Sequence, residues 1–197
     1  MPSERPLPQS AGFPWEPSLL WQALWRSFLE ERERRKWVKL RRARGPHHAA
    51  TLTQELDYLT VRWGWRDGVE AREEVRLLLA RARRHLGWRH RVTLSIRSQW
   101  AEALEADGDL PAAERVWRRL VFDYRRSRWP VCWPAIFVTR RYSECLSQQW
   151  KFPLALKVIR RLEREIQSHP YKKRLHGKGT REIRERCEEL AKLWERA

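Results

Sequence analysis

The chain has 197 residues, of which 42% are hydrophobic, so it is long enough and apolar enough to fold around its own core. A net charge of +17 indicates an acidic partner, for which nucleic acid, an anionic membrane surface and an acidic protein are the candidates. Three widely spaced cysteines fit neither a disulfide framework nor a metal knuckle.

The start of the chain predicts an extended arm rather than a targeting segment. Residues 1–16 contain four prolines and lack the apolar stretch of a signal peptide, and no hydrophobic run of the sequence is long enough for a membrane span. We therefore expect a cytoplasmic protein with no membrane partner. The remainder, residues 17–197, is predicted to form a single all-helical domain.

Helical periodicity continues along the whole domain. A basic helix over 17–44 ends at Gly45, and its apolar residues include Leu24 and Phe28. Further helices are predicted over 51–62, 68–86, 91–106, a segment that Asp109 caps, 133–148 and 153–168. Two pairs of residues have the spacing of capping boxes, namely Thr51 with Gln54 and Asp67 with Glu70.

A last helix is predicted over 180–196, with Thr180 as its cap, after a loop at 169–179 that contains proline and glycine. No segment has the alternation of a convincing strand. Thirteen Trp residues lead us to expect that most of them are buried core anchors.

An internal repeat runs through the helices with a period of 42 residues. Ala71, Ala113 and Ala155 each begin the same pattern, in which an alanine is followed by a bulky apolar residue, an arginine and a leucine. The full instances are Ala71–Val75–Arg76–Leu78, Ala113–Trp117–Arg118–Leu120 and Ala155–Ile159–Arg160–Leu162. A small residue at the alanine position allows paired helices to approach closely, so residues 51–168 are predicted to be repeat units.

The repeat resembles the tetratricopeptide repeat (TPR), a helix–turn–helix unit of the α-solenoid class. Between Leu94 and Arg125 the small and large positions, the turn glycine and the aromatic position are matched by Ala101, Leu104, Gly108, Ala113 and Trp117. A second match runs over 139–170 through Ser143, Leu146, Ala155 and Ile159, with Trp150 in place of the turn glycine. The resemblance implies an all-α solenoid of two to three TPR-like helix pairs, with a long N-terminal helix and a C-terminal capping helix.

Residues 70–197 are also similar to the helical-repeat domain found beside the DNA-binding domain of certain bacterial transcriptional activators. This similarity rests on Gly108–Asp109, on the runs at Arg118–Leu120 and Arg160–Leu162, and on the closing helix. No winged-helix domain is recognisable at the N-terminus. The resemblance implies an interaction module that brings no catalytic residues, and we expect a regulatory role beside transcription machinery.

Catalytic and cofactor chemistry finds little support in the residues. No histidine, cysteine and acid set has metal-ligand spacing, so neither metal nor cofactor is expected. The run at 176–180 lacks the upstream glycine and the preceding strand of a phosphate loop. An arginine shortly before a histidine, a pattern of certain helical ribonucleases, occurs at Arg84–His90, Arg42–His47 and Arg164–His169. A ribonuclease is therefore a distant alternative, and we predict no enzymatic activity.

Two binding hypotheses remain. The first is a scaffold for nucleic acid or a nucleoprotein complex, which would use the basic residues Arg34, Arg35, Lys39, Arg41, Arg42, Arg44, Arg84, Arg89, Arg91, Lys172, Lys173, Arg174 and Lys178. Tryptophans in predicted turns could stack on bases or anchor loops to the core, namely Trp63, Trp65, Trp88, Trp129 and Trp133. The basic residues also fit solvated helix faces, and the tryptophans also fit loop anchors packed on the core, so both interpretations stay open.

The second hypothesis is a protein–protein adaptor that holds a peptide or helix in the concave groove of the solenoid. In the repeat register, this groove would be lined by Ser98, Glu102, Arg140 and Glu144. Its mixed charge favours a protein ligand over a duplex. The sequence indicates no oligomeric state.

Overall fold

The computed structural model describes residues 19–63, 68–126, 132–168 and 178–196, which form eight α-helices and no strand. These are α1 Leu19–Arg44, α2 Ala49–Trp63, α3 Gly68–Leu86, α4 Arg91–Ala106, α5 Leu110–Arg125, α6 Trp133–Gln148, α7 Phe152–Ser168 and α8 Lys178–Arg196. The predicted all-α fold is confirmed. The arm at 1–16, the basic residues at 172–174 and the cap at Asp67 lie outside the described residues.

The helices pack in the order in which they follow along the chain. Each helix contacts the next one, from α1 against α2 to α7 against α8. Further contacts join α2 to α4 and α6 to α8, so alternate helices share a face. This arrangement is a stack of antiparallel pairs, as expected for a solenoid.

The 42-residue pattern occupies the core of the second helix in each pair. In α5, Ala113, Trp117 and Leu120 are fully buried, whereas Arg118 is exposed. The equivalent positions of α3 and α7 behave in the same way: Val75, Leu78, Ala155, Ile159 and Leu162 are buried, and Arg76 and Arg160 are exposed. The arginines of the pattern therefore point to solvent from successive units.

The core consists of two hydrophobic clusters. One is built from α2, α3 and α4 around Leu52 and Leu78, and the other is built from α4 to α8 around Trp117 and Leu146. The indole of Trp100 is half-buried and packs against both clusters. It therefore connects the two halves of the apolar interior.

Two predicted helix starts are wrong. Helix α2 begins at Ala49, because the Nδ1 atom of His48 accepts a hydrogen bond from the backbone N–H of Ala50 at 3.2 Å. Thr51 is instead buried inside α2, where its hydroxyl donates to the Leu40 carbonyl of α1 at 3.5 Å. Helix α8 begins at Lys178, so Thr180 lies within the helix rather than at its cap.

The turns within two helix pairs are built alike despite their different residues. Gly108, between α4 and α5, has a φ of +79°, and Trp150, between α6 and α7, has a φ of +61°. Both residues occupy the left-handed region that favours glycine, and they stand one 42-residue period apart. Trp150 thus takes the place of the turn glycine, with 78% of its surface exposed.

The expectation that most tryptophans are buried is wrong for those whose side chains are described. Trp117 is fully buried, and Trp37 and Trp100 are half-buried. The others are exposed, namely Trp25, Trp88, Trp133, Trp150 and Trp194. Leu24 and Phe28 of α1 are likewise exposed. A stack of single helix pairs has a thin core, so much of its apolar surface has no neighbour to cover it.

Candidate binding groove

A groove of about 750 Å³ lies between α3 and α5 and has α4 as its floor. Helix α3 contributes Leu79, the α3–α4 turn contributes Trp88 and Arg89, and the floor includes Trp100. The whole lining is Leu79, Trp88, Arg89, Arg97, Trp100, Leu104, Ala112, Arg115, Val116, Arg119 and Asp123. Aromatic and aliphatic surface is therefore combined with four arginines and a single carboxylate.

The carboxylate is engaged by two of the arginines. Nη1 of Arg97 donates to Oδ2 of Asp123 at 2.6 Å, and both side chains are at least 95% buried. Nε of Arg119 lies 3.7 Å from Oδ1 of the same aspartate. Arg89 and Arg115 are exposed and have no acidic partner among the described residues. The groove therefore has a surplus of positive charge at its rim.

Trp88 carries the aromatic part of the groove. The guanidinium carbon of Arg83 lies 4.0 Å from the centroid of its ring, and that of Arg97 lies 5.3 Å away. Such cation–π contacts hold the indole in place although 46% of its surface is exposed. The ring of Trp88 is thus positioned by arginines at the surface rather than enclosed in the core.

The predicted basic residues of α1 lie apart from this groove. Glu31 accepts hydrogen bonds from Arg34 and Arg35, and these bonds lower the pKa of Glu31 to about 2. The guanidinium carbon of Arg41 lies 5.4 Å from the centroid of the Trp37 ring. The remaining basic residues of this set are exposed at the helix end: Lys39, Arg42 and Arg44. Part of the α1 charge is therefore neutralised within the helix.

The other predicted basic residues do not form one surface, and the side chain of Lys178 lies outside the described residues. Arg89 lines the groove, and Arg91 is exposed at the start of α4. Arg84 lies beside the rings of His47 and His85, which stack with centroids 3.8 Å apart. Desolvation lowers the pKa of His85, and His47 and Arg84 lower it further.

Two of the three histidines in the arginine–histidine pairs are engaged in local structure, and the third, His169, lies outside the described residues. Nδ1 of His90 caps α4 by accepting a hydrogen bond from the Val92 backbone N–H at 3.3 Å. The ring of His47 stacks on that of His85. Among the described residues, no three His, Cys, Asp or Glu side chains come together as metal ligands. No described helix is long and apolar enough to cross a membrane.

The residues predicted to line a concave groove do not line the groove between α3 and α5. Ser98 and Glu102 are about half a turn away from the stripe of Arg97, Trp100 and Leu104, which faces the groove. On α6, Arg140 pairs with Glu144 at 3.4 Å and with Glu182 of α8 at 3.1 Å. This second face is a network of internal ion pairs.

Arg141 links the helices at the centre of that face. It pairs with Glu144 at 2.9 Å and also with Glu105 of α4. Burial raises the pKa of Glu102 and of Glu105, and Arg141 opposes both shifts. The Glu105 carboxylate also accepts a hydrogen bond from the Trp117 indole at 2.6 Å. These charges stabilise the helix stack, whereas Arg89 and Arg115 of the other face are not used in this way.

Comparison with known proteins identifies the fold of the chain but matches it to no sequence family. No family model and no curated protein sequence matches the chain. Among solved structures, the chain is similar to the nearly identical TPR-like repeats assigned to a kinesin light chain of Podosopora anserina, with a TM-score of 0.65 and 11% identity over 88% of this chain and 86% of the other. A single-residue variant of that protein gives a TM-score of 0.63 and 12% identity over 89% and 91%.

The fold is a TPR-like solenoid. At 11–12% identity the likeness concerns the backbone alone, and neither of these two structures is a transcriptional activator. The TPR resemblance of the sequence is therefore confirmed at the level of the fold.

Proposed function

We propose that the chain is a non-enzymatic TPR-like scaffold that binds an acidic segment of a partner protein. The supporting observation is the groove between α3 and α5, where Arg89 and Arg115 lie without acidic partners beside the exposed ring of Trp88. Guanidinium groups bind carboxylates through paired hydrogen bonds, and the neighbouring apolar surface adds burial energy. A role beside transcription machinery stays a prediction.

Nucleic acid is the second candidate, and a different part of the molecule favours it. Lys39, Arg42 and Arg44 are exposed near the end of α1 and have no acidic partners among the described residues. Such a cluster on one helix suits phosphate contacts without base recognition. The groove is less suited to a phosphate backbone, because much of its lining is apolar, including Leu79, Trp100 and Val116.

The two candidates are separated by direct binding of the full chain to labelled polyanions. Fluorescein-labelled poly-L-glutamate and random-sequence single- and double-stranded oligonucleotides of equal charge would be compared by anisotropy between 50 and 300 mM salt. We expect poly-L-glutamate to bind more tightly than the oligonucleotides at 150 mM salt. Binding to nucleic acid releases counterions, so the logarithm of its binding constant should decline linearly with the logarithm of the salt concentration.

Charge reversal at α1 is the matched test of the second candidate. The double variant R42E/R44E should leave the affinity for poly-L-glutamate unchanged and weaken any residual binding of oligonucleotides. Tight oligonucleotide binding at 150 mM salt that R42E/R44E abolishes, together with no binding of poly-L-glutamate, would replace the protein partner by nucleic acid.

A further inference from the structure

The shape of the groove indicates more than an acidic ligand. On its α5 side the lining residues recur at Ala112, Arg115, Val116, Arg119 and Asp123. This spacing follows one face of α5 for three turns, or about 16 Å at 1.5 Å per residue. The groove is thus a trough parallel to a helix rather than a round pocket.

The trough is apolar along its floor and cationic along its rim. The apolar part of its surface is formed by Leu79, Trp100, Leu104, Ala112 and Val116. Arg89 stands at the α3 side, and Arg115 and Arg119 stand at the α5 side. A ligand that fits must be a rod of about three turns with one apolar edge and acidic flanks.

We infer that the groove holds an acidic amphipathic α-helix of a partner protein, which packs between α3 and α5 with its apolar edge on Trp100. This inference rests on the proposed function and specifies the ligand. A helix with apolar residues at i, i+3, i+4 and i+7 matches the floor, because helices recognise grooves through that spacing. Asp and Glu on either side of this edge reach Arg89, Arg115 and Arg119.

The positive charge of the groove favours acidic residues beside the apolar edge of the ligand helix. On the rim, Arg89 and Arg115 have no acidic partner among the described residues, and the Asp123 carboxylate is already shared by Arg97 and Arg119. A basic helix would therefore be repelled by the rim arginines and would find no unpaired carboxylate in the lining of the groove. A neutral helix would bury the guanidinium groups without partners, which is costly.

Selection from a displayed library tests the inference on the full chain. The library would hold 15-residue peptides with leucine fixed at four helical positions and with the remaining positions open to Asp, Glu, Lys, Arg, Ser and Ala. We expect enrichment of peptides rich in Asp and Glu. An enriched peptide would then be labelled, and its affinity compared with that of a scrambled peptide of equal composition that breaks the helical spacing.

Paired charge reversals locate the binding site. R89E/R115E changes the rim of the groove, whereas R118E/R160E changes the same charge at exposed arginines of the repeat pattern outside it. We expect R89E/R115E to weaken binding of the enriched peptide at least tenfold, R118E/R160E to weaken it less than threefold, and the scrambled peptide to bind at least tenfold more weakly. Thermal unfolding of each variant checks that the fold is retained. We expect it to be retained because all four arginines are exposed.

Several results would overturn the inference. These are enrichment of basic or neutral peptides, no enrichment at all, equal affinity for the scrambled peptide, and an equal loss in the two double variants. Displacement of the peptide by single-stranded DNA that itself loses affinity in R89E/R115E would assign the groove to nucleic acid. If poly-L-glutamate binds the wild type and R89E/R115E with the same affinity, the groove assignment fails while the proposed function stands.

Discussion

Arg97 of α4 and Asp123 of α5 form an ion pair of 2.6 Å in which the side chains keep only 4% and 5% of their surface exposed. The pair crosses between the two helices of one repeat unit and forms the base of the groove. Each charge is stabilised by the other, because water is excluded from both. The pair therefore specifies how α4 and α5 are placed beside each other.

Removal of either partner should be costly. We expect Arg97→Met or Asp123→Leu alone to lower the free energy of unfolding by about 3–5 kcal/mol, because the remaining charge is left buried without its partner. The double variant R97M/D123L should recover most of this loss. Urea unfolding followed by circular dichroism measures all three. As a control, Glu73→Gln breaks the exposed pair with Arg76 and should cost less than about 1 kcal/mol.

The turn at Trp150 should prefer glycine. We expect Trp150→Gly to be more stable than Trp150→Ala by about 1 kcal/mol, because a left-handed backbone is strained in any residue with a Cβ atom. Both variants lose the edge-on contact with Phe152, so this contact cancels in the comparison. Chemical denaturation of the two variants provides the measurement.

A position inside a helix gives the opposite order and serves as the control. Ala80 is exposed in α3, and Ala80→Gly should lower the stability by about 1 kcal/mol. If alanine is the more stable residue at both positions, Trp150 does not occupy the turn described for it.

The alanines of the repeat should not tolerate enlargement. Ala113 and Ala155 are fully buried against neighbouring helices, so leucine at either position should cost at least about 1–3 kcal/mol through overpacking. Ala80→Leu, at an exposed position of α3, should change the stability by less than about 0.5 kcal/mol. Thermal unfolding compares the three variants, and equal effects at all three sites would argue against the helix pairing.

Stability should fall on mild acidification, partly because of the stacked histidines. The folded-state pKa of His85 is lowered by desolvation and by His47, Arg84 and Arg81. As the pH falls through the unfolded value near 6.5, the unfolded chain therefore takes up a proton before the folded chain does. The contribution of His85 is consequently fully present above this pKa and is lost below it.

The sign of this effect is measurable by subtraction. Urea midpoints of the wild type and of His85→Gln would be recorded at pH 7.5 and pH 5.5. The wild type should lose more stability than the variant between these values, and His47→Gln should reduce the loss in the same direction. An identical loss in the wild type and in H85Q would show that His85 does not titrate as described.

Two cysteines should differ in their reactivity. Burial raises the pKa of the Cys145 thiol to about 11, and its side chain is fully enclosed. Cys132 is only half-buried before α6. At pH 8, alkylation with iodoacetamide should modify Cys132 first, whereas Cys145 should react only after denaturant is added, because the thiolate is the reactive form. Peptide mapping by mass spectrometry separates the sites, and rapid labelling of native Cys145 would contradict this packing.

The elements of the fold could be predicted from local signals. The apolar face of α5 and the 42-residue pattern gave the helices and their pairing, because burial follows the periodicity of the sequence. The start of α2 was missed because its cap is a histidine, His48, whereas Thr51 is buried against α1. A threonine with the spacing of a capping box is thus also compatible with a helix interior.

Only part of the groove could be predicted, because the sequence patterns indicate Arg89 and Trp88 but not the other charged residues that line it. It is formed by three helices, and their relative placement cannot be read from the period of any one of them. A signal was nevertheless present: Arg97 and Asp123 fall on otherwise apolar stripes of consecutive helices with opposite charge. Charged residues of opposite sign on facing stripes indicate a buried pair.

The contacts of Trp100 bear on how the protein unfolds. The indole packs against both hydrophobic clusters and also forms part of the groove floor. In a repeat protein each unit is stabilised mainly by its neighbours, so the two ends can melt in separate steps where the connection between them is weak. A helix that lies on Trp100 would contact the connection itself. If the two clusters unfold in separate steps, occupancy of the groove would bring these steps together, and the partner would raise the cooperativity of unfolding.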